Sequence, residues 1–455
     1  MEALKICLGC FREWEEGKQR CPCCGWESGK EYEEIFGWKQ GGVFAKRYLL
    51  GMAYCRTEHA AVWRIYDKVL GISCFALQRE DSDKPLYPLA VRLRKAGCAG
   101  ENQVKLLVAR ELGGKDALLF SMKDLEGKQE ILEAVLEAEE TEPEPAEDSV
   151  KPEVEEQKRD QVLPSGTLLD GRYRILECIG IGGFGILYLC RDLGLRRMVA
   201  VKEYFPAEWA ERDETYVTVK KSQMLEAYWY GMQSFYKEAR ISARFIHTPH
   251  MVTIYDVLEA NDTVYLVMEY ISGISVGRAM RARGYQPYST GEMAELLFPV
   301  MEALEAVHEE KIIHSDISPG NIMRSDEGEI FLIDMGAAKY ALDSQPALSA
   351  AFLKLDYAAP EQYRTAREGI PKDEGPWTDV YALGATMYYL LTGEKPPDVM
   401  RRLGAKDTAI RFSGKCRWKH RRKWKKLLNR AMSLEIRERI GTVAELREGV
   451  RALLK

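Results

Sequence analysis

No stretch of this chain reaches the ~18 uninterrupted apolar residues that a membrane-spanning helix needs, so a polytopic membrane protein is excluded. A strong charge imbalance is also missing. Sixty-five Lys and Arg against 70 Asp and Glu leave a net charge of −5, too mild to argue for or against nucleic acid. The start, Met1 to Cys7, carries an acid at Glu2 and lacks a basic-then-apolar export signal. With 46% apolar and 30% charged residues, wholesale disorder and a collagen-like chain are excluded as well. A disulfide framework does not fit either. The eleven cysteines are an odd number, and five of them fall within residues 7–24. That clustering suits a metal site in a reducing compartment, and the cytoplasm is expected.

At about 150 residues per domain, 455 residues suggest roughly three units. The clearest boundary is compositional. Glu137 to Asp160 hold eleven acids, three bases and three prolines, with Val150 and Val154 as the large apolar groups. Such a segment cannot bury enough surface to offset its ordering entropy, and its like charges extend it. It reads as an acidic, disordered linker over 137–163. Nearly 300 residues follow, long for one core and natural for two lobes with a cleft between them.

Cys7-Leu8-Gly9-Cys10 and Cys21-Pro22-Cys23-Cys24-Gly25 form two CxxC turns ten residues apart. Together they offer the tetrahedral four-sulfur set that zinc prefers, from Cys7, Cys10, Cys21 and Cys24. Four ligands leave no open position, so this Zn²⁺ is expected to be structural. Cys23 is a spare that could replace Cys24. A redox CxxC pair is the competing reading, but no βαβ pattern surrounds these turns.

Gly180-Ile181-Gly182-Gly183-Phe184-Gly185 is a phosphate-loop pattern that is weak alone, because dinucleotide-binding folds use it too. In those folds the glycines open a helix. Here Ile186-Leu187-Tyr188-Leu189 continues as a β-branched and aromatic run, so the reading is strand–loop–strand, a flap over phosphates. Val199-Ala200-Val201-Lys202 follows, an apolar strand carrying one lysine.

From this point the residues resemble the protein-kinase family, specifically bacterial kinases of the eukaryotic Ser/Thr type, over about 165–450. The resemblance implies an α+β bilobal fold, with a β-rich small lobe and a helical large lobe. In it, Lys202 would hold the α/β-phosphates and Glu238, in Phe235 to Arg240, would be the lysine's partner, with Glu226 a second candidate. Leu187 and Ala200 would contact the nucleotide, Met268 would lie behind the adenine pocket, and Glu269 to Ile271 would offer backbone to adenine. His314-Ser315-Asp316-Ile317-Ser318-Pro319-Gly320-Asn321 looks like the catalytic loop. Asp316 would accept the acceptor hydroxyl's proton, while Asn321 and Asp334, in Ile333-Asp334-Met335-Gly336, would bind Mg²⁺. Ala359-Pro360-Glu361 would close the activation segment, Trp377 to Gly384 would be the buried helix of the large lobe, and Arg439 would pair with Glu361.

Three positions depart from the family pattern. Ser315 replaces the arginine that reads a phosphorylated activation segment, so activation is expected not to require phosphate at Tyr340, Ser344 or Ser349. Ser318 replaces a lysine that contacts the γ-phosphate, and Met335 replaces the motif phenylalanine. The implied activity is ATP- and Mg²⁺-dependent phosphorylation of Ser or Thr in protein substrates, in signalling. A catalytically silent pseudokinase scaffold, binding partners through its N-terminal modules, is the alternative. A small-molecule phosphotransferase is a third reading, which the Ala359-Pro360-Glu361 segment opposes.

The expected order is a zinc-ribbon-like knuckle at 1–30, a β-rich module at 40–136, the linker, and a kinase domain at 164–455. The β-rich module itself can be laid on the small lobe. Arg47 to Leu77 matches Arg172 to Lys202 at an offset of 125, and Val104 to Gly127 matches His250 to Gly273 at an offset of 146. Gly180, Gly182, Gly185 and Lys202 become Cys55, Thr57, Ala60 and Leu77, so the module is expected to be a degenerate small lobe that cannot bind ATP. Chance similarity between two β-rich segments is the competing reading. Near the C-terminus, Arg417, Lys419, Arg421, Arg422, Lys423, Lys425 and Lys426 interleave with Trp418 and Trp424. A solvated helical face with inward tryptophans is expected there, rather than a nucleic-acid or membrane surface.

Overall fold

The computed structural model describes residues 4–15, 20–24, 26–27, 34–80, 104–112, 114–122, 161–335, 356–363, 373–397, 399–403 and 421–455, with Leu86, Leu89, Ala90, Leu93, Leu132, Leu136, Ile410 and Phe412. Gly25, Gly127, residues 137–160, Gly336, Tyr340, Ser344, Ser349, Arg417, Trp418 and Lys419 lie outside the described residues.

The chain divides into two compact units. The first comprises Met1–Lys220, Ser242–His247 and Thr253–Tyr270. It opens with a small hairpin, β1 (Leu4–Ile6) with β2 (Glu13–Glu15), and a second, β3 (Glu34–Ile35) with β4 (Trp38–Lys39). An antiparallel sheet follows from β5 (Val43–Phe44), β6 (Tyr48–Arg56), β7 (Ala60–Asp67), β8 (Ile72–Arg79), β9 (Val104–Leu112) and β10 (Lys115–Met122), in the order β5-β6-β7-β8-β10-β9. A second sheet repeats that order with β11 (Leu168–Leu169), β12 (Tyr173–Ile181), β13 (Gly185–Asp192), β14 (Arg197–Tyr204), β17 (Ile254–Ala260) and β18 (Thr263–Glu269), running β11-β12-β13-β14-β18-β17. The hairpin β15 (Ala210–Asp213) with β16 (Tyr216–Val219) stands between β14 and β17. Alternation of buried and exposed positions, as in Tyr173 to Ile175, is the period-2 pattern of half-buried strands.

Each sheet turns one corner on a buried ion pair. Arg47 donates to Asp67 (2.7–3.0 Å), and the Asp67 carboxylate accepts the N–H groups of Val69 and Leu70. Arg172 donates to Asp192 (2.6 and 2.8 Å), whose carboxylate accepts the N–H groups of Gly194 and Leu195. An Asp closing a tight turn in this way satisfies backbone donors that the bend leaves unpaired.

Two sequence expectations need correction. Gln161 to Leu163, assigned to the linker, belong to the fold. Leu163 is buried with its N–H donated to Tyr188 Oη (3.1 Å), and Arg212 donates to the Gln161 carbonyl. The second segment of the internal match is displaced by 148 residues, not 146. Leu112 pairs with Lys115 as Ala260 pairs with Thr263, and Leu118 faces Leu77 as Leu266 faces Lys202. Four identities carried no information on hydrogen-bond register, and a two-residue slip preserves the inward–outward alternation.

The second unit, Lys221–Ile241 with Thr248–Val252 and Ile271–Lys455, is helical. Most of α1 (Leu225–Ala243) belongs to it, followed by β19 (Gly273–Ser275), α2 (Val276–Ala282), α3 (Thr290–Glu309), β20 (Ile322–Ser325), β21 (Ile330–Leu332), α4 (Pro376–Thr392), α5 (Val399–Leu403), α6 (Arg421–Ala431) and α7 (Val443–Leu454). Ser289 and Glu292 form a capping box that starts α3. The run from Thr378 to Thr392 in α4 is buried throughout. A Cβ on its Gly384 would sit 2.8 Å from Met432 and 3.0 Å from Ala431, so the glycine lets α4 pack closely against the end of α6. On α6 itself, Trp424 is buried and Arg422, Lys423 and Lys426 are exposed, the inward-tryptophan arrangement expected for this stretch.

Candidate active site

In the first unit the candidate nucleotide groups share one face of the second sheet. Leu187 lies opposite Lys202 and Leu189 opposite Ala200, while Lys202 and Ala200 lie opposite Leu266 and Met268. Direct cross-strand partners point the same way. Lys202 therefore projects from the face that carries Leu187, Ala200 and Met268. The glycine segment is a strand–loop–strand turn: β12 ends at Ile181, β13 starts at Gly185, and the Gly182 N–H donates to the Gly185 carbonyl (2.8 Å). A Cβ at Gly185 would lie 2.6 Å from the Glu203 carbonyl oxygen, so only glycine fits there. The loop is also tethered. The Gly183 and Phe184 carbonyls accept N–H groups from Ala207 and Phe205, and the Phe184 ring meets Trp209 edge-on. At the far end of the sheet, the Glu269 N–H donates to the Thr253 carbonyl (2.8 Å) and the Thr253 N–H to the Glu269 carboxylate (3.2 Å). This fixes the backbone just before Tyr270 and Ile271.

In the second unit, Glu238 is buried on α1 whereas Glu226 is exposed. The loop 314–321 is held from beneath. Asp379 of α4 is fully buried and its two oxygens accept the N–H groups of His314 (2.9 Å) and Ser315 (2.8 Å). Burial alone would raise the Asp379 carboxyl, but the His308 hydrogen bond (2.8 Å), the His308 and His314 charges and the His314 N–H outweigh it, holding it below the usual carboxylate range. Ser315 sits at φ +63° and Asp334 at φ +57°, left-handed backbone that non-glycine residues adopt at a cost of order 1 kcal/mol or more. Both lie at positions singled out for chemistry or for departure from the family.

Asn321 Nδ2 donates to the Asp316 carbonyl and to its Oδ2, each at 2.8 Å. This turns the amide so that its oxygen is offered on the side away from Asp316. The Ile333 N–H donates to the Asn321 carbonyl (2.9 Å), tying the loop to the strand that leads into Asp334. An amide oxygen and a carboxylate are hard oxygen donors, the type that suits Mg²⁺. Ser315 donates its hydroxyl to Glu374 (3.1 Å) and accepts Gln362 Nε2 at its carbonyl (2.9 Å). Ser318 and Met335 are buried. Glu361 forms the expected buried pair with Arg439, bidentate at 2.6 and 3.1 Å, and also accepts the Thr378 hydroxyl.

The four cysteines also converge. The sulfurs of Cys7, Cys10, Cys21 and Cys24 all lie within 4.8 Å of one another, with Cys7–Cys24 at 3.5 Å and Cys10–Cys21 at 3.7 Å. A zinc tetrahedron with Zn–S of about 2.3 Å has edges of about 3.8 Å, so the set fits that ion. Cys23 is exposed and outside the set. Against the opposing push of burial, N–H groups of Cys24 and Cys23 bring the Cys21 thiol down to about 6. The knuckle is seated on the first sheet. Met52 N–H donates to the Leu8 carbonyl, Arg64 to the Gly9 carbonyl, and Phe11 stacks on Tyr66 (5.7 Å). A Cβ at Gly51 would come within 2.5 Å of the Phe11 ring.

The sequence reading gave no role to Asp379, His308 or Gln362, which hold the 314–321 loop, nor to the Phe205–Trp209 segment that holds the glycine turn. The signal for Asp379 was present: one carboxylate at the head of an otherwise apolar helical run needs a buried partner.

A family model described as the protein kinase domain matches residues 173–448. The serine/threonine-protein kinase PrkC of Bacillus subtilis (strain 168) is 32% identical over 235 residues, 51% of this chain and 32% of the relative. PknB of Mycobacterium tuberculosis (strain ATCC 25618 / H37Rv) is 32% identical over 235 residues, 50% of this chain and 33% of the relative. The chain thus spans about a third of the length of these curated relatives. The solved structure titled PpkA-294 apo form superposes with a TM-score of 0.55 at 30% identity, covering 64% of this chain and 99% of that one. The β-rich and helical architecture agrees with a match across 173–448, and the chain belongs to the protein kinase family.

Proposed function

We propose that this chain is an ATP- and Mg²⁺-dependent serine/threonine-protein kinase acting on protein substrates in signalling. The observation that carries the reading is the pair of hydrogen bonds from Asn321 to Asp316, on a loop whose backbone is gripped by a buried Asp379. Phosphoryl transfer needs little covalent help and much positioning, so a carboxylate locked in place is the central requirement.

Asp316 orients the acceptor hydroxyl and takes its proton. Lys202 neutralises the α/β-phosphates, with Glu238 as its partner. Gly180, Ile181, Gly182, Gly183, Phe184 and Gly185 cover the phosphates with backbone N–H groups. Leu187, Ala200 and Met268 enclose the adenine, and the backbone of Glu269 and Ile271 pairs with its edge. Asn321 and Asp334 would hold Mg²⁺, which when bound offsets the charge that develops on the β/γ-phosphates. Zinc on Cys7, Cys10, Cys21 and Cys24 would staple the knuckle onto the first sheet, and a reducing, cytoplasmic setting suits its thiolates.

The test is transfer of labelled γ-phosphate from ATP to protein by the wild type and by Asp316→Asn. A loss of about 10²–10⁴-fold is expected in the variant, with label on Ser or Thr. Equal labelling by both would overturn it.

A further inference from the structure

The two sheets of the first unit agree at a finer level than strand order. β5, β6, β7 and β8 coincide residue for residue with β11, β12, β13 and β14 at a shift of 125. Their connecting hydrogen bonds coincide too. Gly41 N–H to Leu50 O is repeated by Gly166 to Ile175, Lys68 to Arg47 by Leu193 to Arg172, and Thr57 to Ala60 by Gly182 to Gly185. A buried polar pair is also repeated with changed chemistry. Trp63 donates to Gln78 (3.0 Å) where Tyr188 donates to Glu203 (2.8 Å).

What differs is the face that carries Lys202 in the second sheet. In the first sheet Leu187, Ala200, Lys202 and Met268 correspond to Val62, Phe75, Leu77 and Phe120. These are buried, with Phe75 stacked on Phe120 (5.5 Å), and they pack with Leu86, Leu89, Ala90, Leu93 and Leu132. The space a nucleotide would take is filled by side chains.

The copies also touch, β9 against β17. Asp256 of β17 is wholly buried, and the charges that face it come largely from the other sheet: Arg47 at 2.8 Å and Arg110 at 2.5 Å, with Tyr173 Oη at 3.5 Å. Arg47 also donates to the Val257 carbonyl (3.0 Å). In return Arg197 of the second sheet donates to the Leu106 and Leu107 carbonyls of β9 and stacks on Tyr255. Ser121 bonds His247 (2.7 Å), Ile246 and Tyr255 join one core of the first sheet, and Leu195 joins the other, against which Leu106 and Ala109 pack.

We propose that the sheet β5–β10 is a diverged second copy of the small-lobe sheet that has become a permanent internal partner, clamping β17 of its sister through Arg47 and Arg110 on Asp256. Stripped of these two cations, the buried carboxylate keeps only the more distant charge of Arg172 on its own sheet, so β17 loses stability without the copy. Since β17 pairs with β18, which ends at Glu269, the clamp bears on the strand that leads into the adenine-binding backbone. That consequence rests on the kinase reading; the clamp does not.

Amide hydrogen exchange on the full-length chain, with no nucleotide added, tests it. Arg110→Gln is expected to speed exchange about tenfold or more in β17 and β18 as well as in β9 and β10, because the two sheets open as one cooperative unit. Faster exchange confined to β9 and β10, or none, would overturn the proposal. The reciprocal Asp256→Asn must speed exchange in β9 and β10, on the sheet it does not belong to. Unchanged exchange there overturns it equally.

Discussion

The first and second sheets share strand order, corner ion pairs and turn hydrogen bonds, yet only the second presents a lysine, an alanine and a glycine turn where a nucleotide could lie. The first fills the corresponding positions with Leu77, Phe75, Cys55 and Ala60. A sheet's frame and its chemistry are therefore set by different residues. Arg–Asp corners and buried polar pairs fix register, while a handful of side chains on one face decide whether that face is a site or a core. The frame tolerated exchange of Gly182 for Thr57 because Thr57 keeps the same N–H to carbonyl bond that closes the loop.

The contrast can be broken most sharply by making the second sheet resemble the first. Ala200→Phe places on the nucleotide face the ring that plugs the other sheet. Nucleotide binding and transfer are expected to fall about a hundredfold or more, at a stability cost of about 1–3 kcal/mol that leaves the chain folded, measured by titration and calorimetry. Retained binding would show that this face is not the site. Next in size is the converse change. Phe75→Ala removes a buried ring and should cost about 3–5 kcal/mol by denaturant unfolding, without lowering transfer per folded molecule. The smallest effect is in pH. Burial pushes Asp256 upward, but Arg47, Arg110 and Arg172 outweigh it and hold it below the usual range, as the hydrogen-bonding and charge of His308 and His314 do for Asp379. A carboxylate lowered by folding adds stability that is complete above its unfolded value near 4 and is lost as pH falls through the lower folded one. Unfolding free energy should therefore hold down to about pH 4 and drop below it, and Asp256→Asn should flatten that acid limb. Loss between pH 7 and 5 would contradict the assignment.

Much of the candidate site could be read from the sequence because the chemistry proposed for it demands particular residue types. Asp316, Asn321 and Asp334 lie in a spaced order, and Glu361 with Arg439 forms the ion pair that was expected. The four-sulfur knuckle was legible for the same reason, since two CxxC turns can aim at one point. The residues that escaped act through long-range packing. The carboxylate at the head of α4 signals that Asp379 needs a buried partner, but nothing local names His314 and Ser315, 65 and 64 residues away, as the groups it supports. Arg110 likewise looks like a surface charge on an edge strand until Asp256, 146 residues on, is placed beside it. Register failed for a related reason: identity matches in β9 and β10 gave an offset of 146, and only hydrogen bonding across the turns shows 148.

Exchange protection on adding Mg²⁺ with a non-hydrolysable ATP analogue puts the whole account to a single reading. Slower exchange is predicted at residues 180–185, 269–271 and 316–334, with none gained across 55–77. Protection in the first sheet, or nowhere in the second, would contradict the claim that one frame carries the nucleotide and the other only holds it.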